Sequence, residues 1–354
     1  MEKRICPAVP IAHGGGVLKP RRTKDLDSEK QEFREALLAW FRAEARDYPW
    51  RRTSDPYAIL VSELMLQQTR LAVVLGKGYY TRFMAAFPTV QSLAAADETS
   101  LLRVWEGLGY YRRARMLQAT AIAVCERHGG HFPAEEKALL ALPGIGRYTA
   151  GAVLSFAFDR PAPLVDGNVM RVFARLFDDD TPIDSTAGIK QSWQRAADLL
   201  DREHPRLFNS ALMELGQRVC KVGVPDCLAC PVAAFCHCIS PESLPVKAKR
   251  TVVTEVTEHA LWSRSSDGTL LLHCENGARR KGLWRLPLRE PEVLADAPVI
   301  HEMSYGITRY RVRLLVHERQ EASALAGDAW VAPEDLESYP MAAPHRKALR
   351  ALLD

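Results

Sequence analysis

The sequence LPGIGRYTA, residues 142–150, places two glycines one residue apart at the start of a helical pattern. Gly144 and Gly146 predict a tight turn that lets a phosphate approach the backbone. A helix beginning near Tyr148 would point its amide groups and the positive end of its dipole at that phosphate. A Gly-x-Gly turn alone is also typical of a plain connection between helices. The proline before it and the Thr-Ala pair after it favour a phosphate-binding hairpin.

The segments on either side of this turn also have helical spacing. Apolar residues recur at three- and four-residue intervals, as in Phe33, Leu37 and Phe41, across residues 31–240. No G-x-G-x-x-G follows a strand pattern, so the sequence does not favour a dinucleotide-binding domain. Beyond residue 250 the chain becomes β-rich and alternates at period two, and it closes with a helix at about 343–353.

The sequence therefore predicts a mainly α N-terminal domain followed by a smaller α+β C-terminal domain. We assign residues 1–30 to a mobile extension and residues 31–238 to the helical domain. Ser-Pro and Leu-Pro pairs and a basic run mark a linker over 239–250. Residues 251–354 form the C-terminal domain.

Composition excludes several classes of protein. The chain has 354 residues, 47% of them hydrophobic and 25% charged, which is typical of a folded globular protein. No apolar run is long enough to cross a membrane, and the N-terminus is a poor secretory signal. We therefore expect a cytoplasmic, nucleoid-associated protein. The net charge of +4 lies entirely in residues 1–240, which is compatible with nucleic-acid binding but does not establish it.

Four cysteines are grouped in one short segment with the spacing Cys-x6-Cys-x2-Cys-x5-Cys. Thiolates this close in sequence can close on one metal centre, and they suit either an iron–sulfur cluster or tetrahedral zinc. Spacing alone leaves both open. The residues are Cys220, Cys227, Cys230 and Cys236.

Two carboxylates far apart in sequence are candidates for acid and base chemistry. Glu63 has mostly apolar neighbours, which predicts a raised pKa suited to a general acid. Asp166 stands before Gly-Asn and a helical pattern, which is also typical of an ordinary helix N-cap. Cleavage of a glycosidic bond needs one acid and one carboxylate near the developing positive charge.

A basic and aromatic segment, GLGYYRRAR at residues 107–115, adds to the nucleic-acid pattern. Arginines reach phosphates, and a tyrosine can stack or wedge at a base step. A solvated helix start with two interfacial tyrosines explains the segment equally well on its own.

Together these features, in this order, resemble the helix-hairpin-helix, iron–sulfur DNA glycosylases, and within them the MutY adenine DNA glycosylases. The resemblance spans about residues 31–340. It rests on SELMLQQT, GLGYYRRAR, LPGIGRYTAGAV, VDGNVMRV and the cysteine spacing. It implies a Nudix-like C-terminal domain and a [4Fe–4S] cluster on the four cysteines.

The resemblance also implies an activity and its residues. The family flips out adenine mispaired with 8-oxoguanine and excises it, with water as the final nucleophile. Glu63 matches the acid that protonates the adenine. Asp166 matches the carboxylate that stabilises or transiently bonds the sugar C1′, and Asn168 matches the residue that orients it. Tyr148 matches a tyrosine found in some members at the oxocarbenium site.

Further residues match positions that contact DNA. Gln67 and Tyr110 match residues that fill the gap around the flipped-out adenine and contact the opposite base. Trp50, Arg51 and Glu214 match pocket positions that hold the adenine. We expect a monomer acting on double-stranded DNA that contains a mispaired adenine, with no membrane and no nucleotide cofactor.

Tyr148 separates this chain from bifunctional relatives. Endonuclease III-like members carry a lysine here, whose amine can form a Schiff base with the sugar. A phenol cannot, so we expect a monofunctional glycosylase. The related mismatch thymine glycosylases also carry tyrosine here, but they generally lack the C-terminal domain. A thymine glycosylase, a catalytically silent damage sensor and an iron–sulfur redox protein are the alternatives.

The C-terminal domain departs from the family pattern. The family reads 8-oxoguanine through a β-hairpin with a Phe-Ser-His triplet, and the equivalent here is Ile307-Thr308-Arg309. Thr308 keeps a hydroxyl, whereas Arg309 replaces a titratable ring with a permanent charge. The acidic metal set of a Nudix box is absent from the sequence, so we expect no diphosphate hydrolysis.

Overall fold

The computed structural model describes residues 26–248, 252–277, 280–307, 309–320 and 322–354. Its N-terminal two thirds are helical, as the sequence predicts. The helices are α1 (Leu26–Glu44), α2 (Pro56–Leu66), α3 (Leu71–Gly76), α4 (Tyr79–Ala86), α5 (Val90–Ala94), α6 (Glu98–Val104), α7 (Arg112–His128), α8 (Glu136–Leu140), α9 (Arg147–Phe158), α10 (Gly167–Leu176), α11 (Thr186–Leu199) and α12 (Pro205–Arg218). Within the described residues, no helix has the length and apolar character needed to cross a membrane.

The chain divides into two compact units, and neither is continuous in sequence. Of the described residues, the first unit contains 26–60 and 132–248, and the second contains 61–131 and 252–354. The division falls inside α2. The predicted domains differ from these units, because residues 61–131 group with the C-terminal segment rather than with the remaining helices.

The first unit is built round one apolar core. Helices α1, α9, α10 and α12 bury aromatic and aliphatic side chains there, among them Phe33, Phe173 and Phe208. The first of these helices begins at Leu26, so residues 26–30 of the predicted extension are helical, and residues 1–25 lie outside the described part of the chain. Asp27 and Glu29 lie in its first turn, where negative side chains stabilise the helix by interacting with the positive end of its dipole.

Most of the predicted linker over 239–250 is attached to the first unit. The Val246 carbonyl accepts a hydrogen bond from Ile183 N at 3.0 Å. The Arg175 Nε donates to the Pro241 carbonyl at 2.8 Å. These bonds satisfy backbone groups that a free linker would leave to solvent. Residues 249–251 lie outside the described part of the chain.

The C-terminal part of the second unit contains two three-stranded sheets and a final helix. The strands are β1 (Thr254–Trp262), β2 (Leu270–Cys274), β3 (Trp284–Arg285), β4 (Val299–Ile307), β5 (Tyr310–Glu318) and β6 (Asp328–Val331), followed by α13 (Ala343–Leu353). One sheet has the order β1-β5-β4, with β1 parallel and β4 antiparallel to β5. The other has the antiparallel order β3-β2-β6. The α+β class predicted for this segment is confirmed.

Specific contacts join the two segments of the second unit. The buried Tyr111 hydroxyl donates to the Met341 carbonyl at 2.9 Å. The Arg346 Nε donates to Glu106 Oε1 at 2.8 Å, and this guanidinium is itself buried. The connection between α6 and α7 therefore contacts residues more than 200 positions away in sequence, which local patterns could not predict.

Candidate active site and nucleic-acid interface

Asp166 caps α10 and is fixed through both carboxylate oxygens. Its Oδ1 accepts a hydrogen bond from Val169 N at 2.8 Å, which is the predicted N-cap contact. Its Oδ2 accepts from Asn168 Nδ2, also at 2.8 Å. The predicted pairing of Asp166 with Asn168 is therefore present. A carboxylate held in this way is oriented to face positive charge that develops next to it.

Arg171, which the sequence analysis did not single out, fixes the orientation of the Asn168 amide. Its Nη2 donates to Asn168 Oδ1 at 3.0 Å and to the Gly216 carbonyl at 2.7 Å. The amide oxygen is thereby occupied and the amide nitrogen faces Asp166. Burial lowers the pKa of Arg171, with the Cys220 sulfur opposing that shift.

The four cysteines lie in the loop that follows α12 in the first unit. Two of them contact Arg175, another buried arginine on α10. Its Nη1 lies 3.4 Å from Cys220 Sγ, and Cys236 Sγ lies 3.6 Å from its carbonyl oxygen. Arg175 also donates to the Lys221 carbonyl at 2.7 Å, and Arg171 Nε donates to the Cys220 carbonyl at 2.9 Å. Helix α10 therefore carries Asp166 at its start and holds the cysteine loop along one side.

The predicted adenine-pocket residues are brought together in the first unit. The Glu214 carboxylate is fully buried, and it accepts hydrogen bonds from Arg51 Nη1 and from Arg218 Nη1, the latter at 2.8 Å. Two cations and its hydrogen bonds offset the cost of burying this charge. The Arg51 guanidinium lies over the Tyr48 ring, 4.6 Å from its centroid, and Trp50 stacks on the same ring at 5.6 Å. Flat aromatic surfaces beside fixed polar groups suit recognition of a planar base.

The hairpin between α8 and α9 has the predicted geometry. Gly144 has φ +77°, a left-handed conformation that favours glycine. Gly146 caps α9, and a Cβ built on it would meet nothing within 4 Å, so its backbone is open to an approaching group. The first-turn amides of α9 have no intrahelical acceptor and are available for an anion. Tyr148 lies in this turn, half-buried against the core of the first unit.

Glu63 lies in α2, within the second unit, and is 5% exposed. Its buried position agrees with the apolar environment expected from its neighbours. Asp166 belongs to the first unit.

Gln67 and Tyr110 lie on two loops of the second unit that meet at one buried side chain. The Gln67 carbonyl accepts a hydrogen bond from Arg113, whose guanidinium also lies 5.5 Å from the Tyr110 ring centroid. Tyr110 is 43% exposed and has φ +48°. The sequence analysis grouped Arg113 with arginines that reach phosphates. In the structure it is buried and its side chain points into the protein.

Arg309 lies in the turn between β4 and β5, where Ile307 pairs with Tyr310. It is exposed, donates to the Tyr310 hydroxyl at 3.1 Å and lies 5.2 Å from that ring's centroid. Thr308, its predicted partner in opposite-base contact, lies outside the described residues.

Comparison with known proteins agrees with this architecture. The family model described as "HhH-GPD superfamily base excision DNA repair protein" matches residues 61–195. The human adenine DNA glycosylase is 44% identical over 219 residues, which cover 59% of this chain and 40% of the human protein. The adenine DNA glycosylase of Mycobacterium tuberculosis is 39% identical over 210 residues, covering 58% of this chain and 68% of that protein.

A solved structure of a thermostable thymine-DNA glycosylase superposes with a TM-score of 0.54 at 30% identity, covering 60% of this chain and 96% of that one. The fold and hairpin thus have the features of a helix-hairpin-helix base-excision repair protein. More narrowly, the chain belongs to the MutY-type adenine DNA glycosylase family. It spans about two fifths of the length of the mammalian relatives that it matches.

Proposed function

We propose that this chain is a monofunctional DNA glycosylase that excises adenine mispaired with 8-oxoguanine or guanine in double-stranded DNA. The observation that carries the proposal is the Asp166 carboxylate, held through both oxygens at the start of α10 by Val169 N and Asn168. Membership of the adenine DNA glycosylase family supports it.

The proposed mechanism begins with extrusion of the adenine from the base stack. Trp50, Arg51 and Glu214 hold the extruded base, and Glu63 donates a proton to it so that it leaves as a neutral base. The C1′–N bond breaks as positive charge grows on the sugar, and Asp166 stabilises that charge. Water then adds to C1′ and loses a proton.

Tyr148 supports a monofunctional reaction. Its phenol lies at the start of α9, in the position where bifunctional relatives carry a lysine amine. A phenol forms no Schiff base with the sugar, so strand cleavage requires added alkali.

The test is single-turnover base release from labelled duplexes that contain one A·8-oxoguanine, A·G, G·T or A·T pair. Each duplex is treated with and without alkali, using wild type and Asp166→Asn. We expect alkali-dependent cleavage at the adenine, lost in Asp166→Asn. Tight binding without release from any duplex would leave the damage-sensor alternative.

Thymine excision from G·T pairs is the second candidate. The likeness to the thermostable thymine-DNA glycosylase, at a TM-score of 0.54, favours it. The same experiment separates the two, because thymine release without adenine release would assign the chain to that function.

We also propose that Cys220, Cys227, Cys230 and Cys236 hold a [4Fe–4S] cluster. Four cysteines in one loop supply the thiolate ligands of such a cluster. The Arg175 cation beside Cys220 Sγ is suited to a charged sulfur. When bound, the cluster would cross-link the loop that Arg171 and Arg175 attach to α10.

Iron and sulfide analysis of the purified protein tests this cluster. We expect about four of each per chain, lost in Cys227→Ser and retained in the control Cys125→Ser, whose sulfur lies on α7. Stoichiometric zinc without iron would contradict the proposal.

We further propose that the C-terminal α+β segment is a Nudix-like domain that reads the opposite base through the β4–β5 hairpin. The exposed Arg309 at the tip of the hairpin supports this role. Arg309→Ala should change the ratio of A·8-oxoguanine to A·G release, whereas Arg319→Ala, exposed beyond the other end of β5, should not. Equal ratios in all three proteins would argue against this role.

A further inference from the structure

Arg113 joins two loops that are distant in sequence. It is the second residue of α7, and the residue as a whole is 8% exposed. Nη1 donates to residues 64–69, the last turn of α2 and the turn that follows it (the 64–69 loop), and Nη2 donates mainly to the loop over residues 105–110. The acceptors are the carbonyl oxygens of Leu64 (2.8 Å), Met65 (3.0 Å), Gln67, Leu108 (3.0 Å) and Gly109 (3.2 Å) and the hydroxyl of Thr69 (3.2 Å).

The two Nη groups of Arg113 donate to backbone carbonyls and one hydroxyl rather than to an acid, and its buried Nε has no hydrogen-bond partner. No carboxylate of the described residues pairs with this guanidinium, and burial lowers its pKa to about 10. Leu64 and Met65 lie in the last turn of α2, where carbonyl groups form the negative end of the helix dipole. The Trp105 and Tyr110 rings lie 5.5 Å from the guanidinium. Because its Nη groups donate hydrogen bonds to both loops, this buried cation fixes the position of one loop relative to the other.

The two loops need such support because their backbones are unusual. Gln68 has φ +57° and Tyr110 has φ +48°, left-handed values that are strained for residues with side chains. Gly109, the residue before Tyr110, has φ +66°. Arg113 binds the carbonyl of Gln67 and that of Gly109, which immediately precede the two strained residues.

We propose that Arg113 is a positioning residue that locks the 64–69 and 105–110 loops together, so that Gln67 and Tyr110 enter the DNA as one rigid wedge. The inference rests on the proposed function, in which these two side chains fill the space left by the extruded adenine. A rigid wedge lowers the cost of holding the base out of the stack, because its own ordering has already occurred on folding. Lysine cannot replace Arg113, since an ammonium lacks the planar fork that reaches both loops.

The test compares two substrates for base release under single-turnover conditions. In one, the adenine is paired with 8-oxoguanine in a full duplex. In the other, the same adenine lies in a three-nucleotide mismatched bubble, where extrusion costs little. The variants are Arg113→Lys and the milder Thr69→Val, which removes one acceptor of the guanidinium. The control is Val124→Ala, a buried cavity variant three turns along α7.

We expect Arg113→Lys to slow release from the full duplex by about 10- to 100-fold and from the bubble by less than about 3-fold, with Thr69→Val intermediate. Val124→Ala should lower the melting temperature and leave the ratio of the two rates unchanged. Adding Tyr110→Ala to Arg113→Lys should cause little further loss, because both changes disable the same wedge.

Equal slowing on both substrates would overturn the inference, because a generally damaged enzyme loses both rates together. Wild-type rates in Arg113→Lys and Thr69→Val would overturn it too, while the proposed function would stand. If wild type releases adenine from neither substrate, the proposed function itself fails. That outcome is read from wild type alone, so it is distinct from any failure of the variants.

Discussion

The Asn168 amide connects the candidate catalytic carboxylate of Asp166 to the buried Arg171. Its nitrogen holds Asp166 and its oxygen is held by Arg171. Asn168→Ala should therefore free one carboxylate oxygen of Asp166 and slow base release by about 10- to 100-fold, with DNA affinity unchanged. The measurement is the single-turnover rate together with the dissociation constant for the A·8-oxoguanine duplex.

The matched control for that change is Asn209→Ala. Asn209 is buried, whereas Asn168 is half-buried, and it donates to the Ala162 carbonyl at 2.9 Å and not to Asp166. Both variants should lose comparable stability, and Asn209→Ala should keep its rate below its unfolding temperature. Similar rate losses in the two variants would argue against a role for Asn168 in orienting Asp166.

His345 makes folding stability depend on pH. Its ring is fully buried, neither nitrogen has a hydrogen-bond partner, and burial lowers its pKa from 6.5 to about 3, helped by Arg285 and Arg280. Between these values the unfolded chain binds a proton that the folded chain does not. Stability is therefore complete above about pH 6.5 and falls as the pH is lowered, by at most about 1.4 kcal/mol per pH unit.

Urea unfolding at pH 7 and pH 5 checks this prediction. His345→Leu should reduce the difference in unfolding free energy between the two pH values, whereas His131→Gln, on the surface, should not. An unchanged difference in His345→Leu would show that other groups control the acid sensitivity.

Residue-scale prediction from the sequence succeeded where the signal is local. Asp166 precedes Gly-Asn and a helical pattern, so its N-cap contact follows from neighbours within three positions. The inward roles of Arg113, Arg171 and Arg175 could not be predicted, because an arginine in a helix has the same local pattern whether it faces solvent or a distant carbonyl. The four-residue spacing of Arg171 and Arg175 on one helix face was the available signal.

At the scale of elements, the contact of α10 with α12 depends on Gly216. A Cβ at this position would lie 2.8 Å from Asn168 Cβ and 3.3 Å from its carbonyl oxygen. Gly216→Ala should push the helices apart, destabilise the fold by about 1–3 kcal/mol and slow base release by displacing Asn168.

Thermal unfolding and single-turnover rates test that prediction. Gly76→Ala, at the end of α3, is the matched control, because a Cβ there meets nothing within 4 Å. The control should be neutral or slightly stabilising. Wild-type stability and rate in Gly216→Ala would show that the helices tolerate the added methyl group.

The helices were more predictable than the strands for a physical reason. Helix α9 carries its own signals, a glycine turn and an apolar face, within a dozen residues. Strand β4 (Val299–Ile307) has no fully buried residue, so the alternation of Met303 and Tyr305 with polar neighbours is only a weak signal. Strand β6 (Asp328–Val331) has four residues and owes its existence to pairing with β2. Strands of this kind are defined by their partners rather than by their own sequence.

At the scale of the molecule, the contacts between residues 61–131 and 252–354 stabilise the fold. Breaking one of them, the Glu106–Arg346 ion pair, should lower the unfolding free energy by a measurable amount. Glu106→Gln removes the charged partner of the buried Arg346 guanidinium. We expect a loss of about 2–3 kcal/mol in unfolding free energy, less than for a fully buried pair, because Glu106 is 19% exposed. Hydrogen exchange should rise in α6 and α13 together.

Glu337→Gln is the control, since Glu337 lies 4.0 Å from Arg346 and is 68% exposed. Its effect should be within about 0.5 kcal/mol. Faster exchange confined to α6 in Glu106→Gln would mean that the two segments do not unfold as one cooperative unit.

The interleaved division of the chain also constrains its synthesis on the ribosome. Residues 61–131 leave the ribosome long before residues 252–354. The hydrogen bond from the Tyr111 hydroxyl to the Met341 carbonyl can form only after Met341 has been added. The nascent second unit must therefore hold apolar helix surface in a partly formed state until Met341 is added, about 210 residues and roughly 10–42 s later at typical elongation rates. We therefore expect slower elongation over residues 132–250 to lower the soluble yield of the protein.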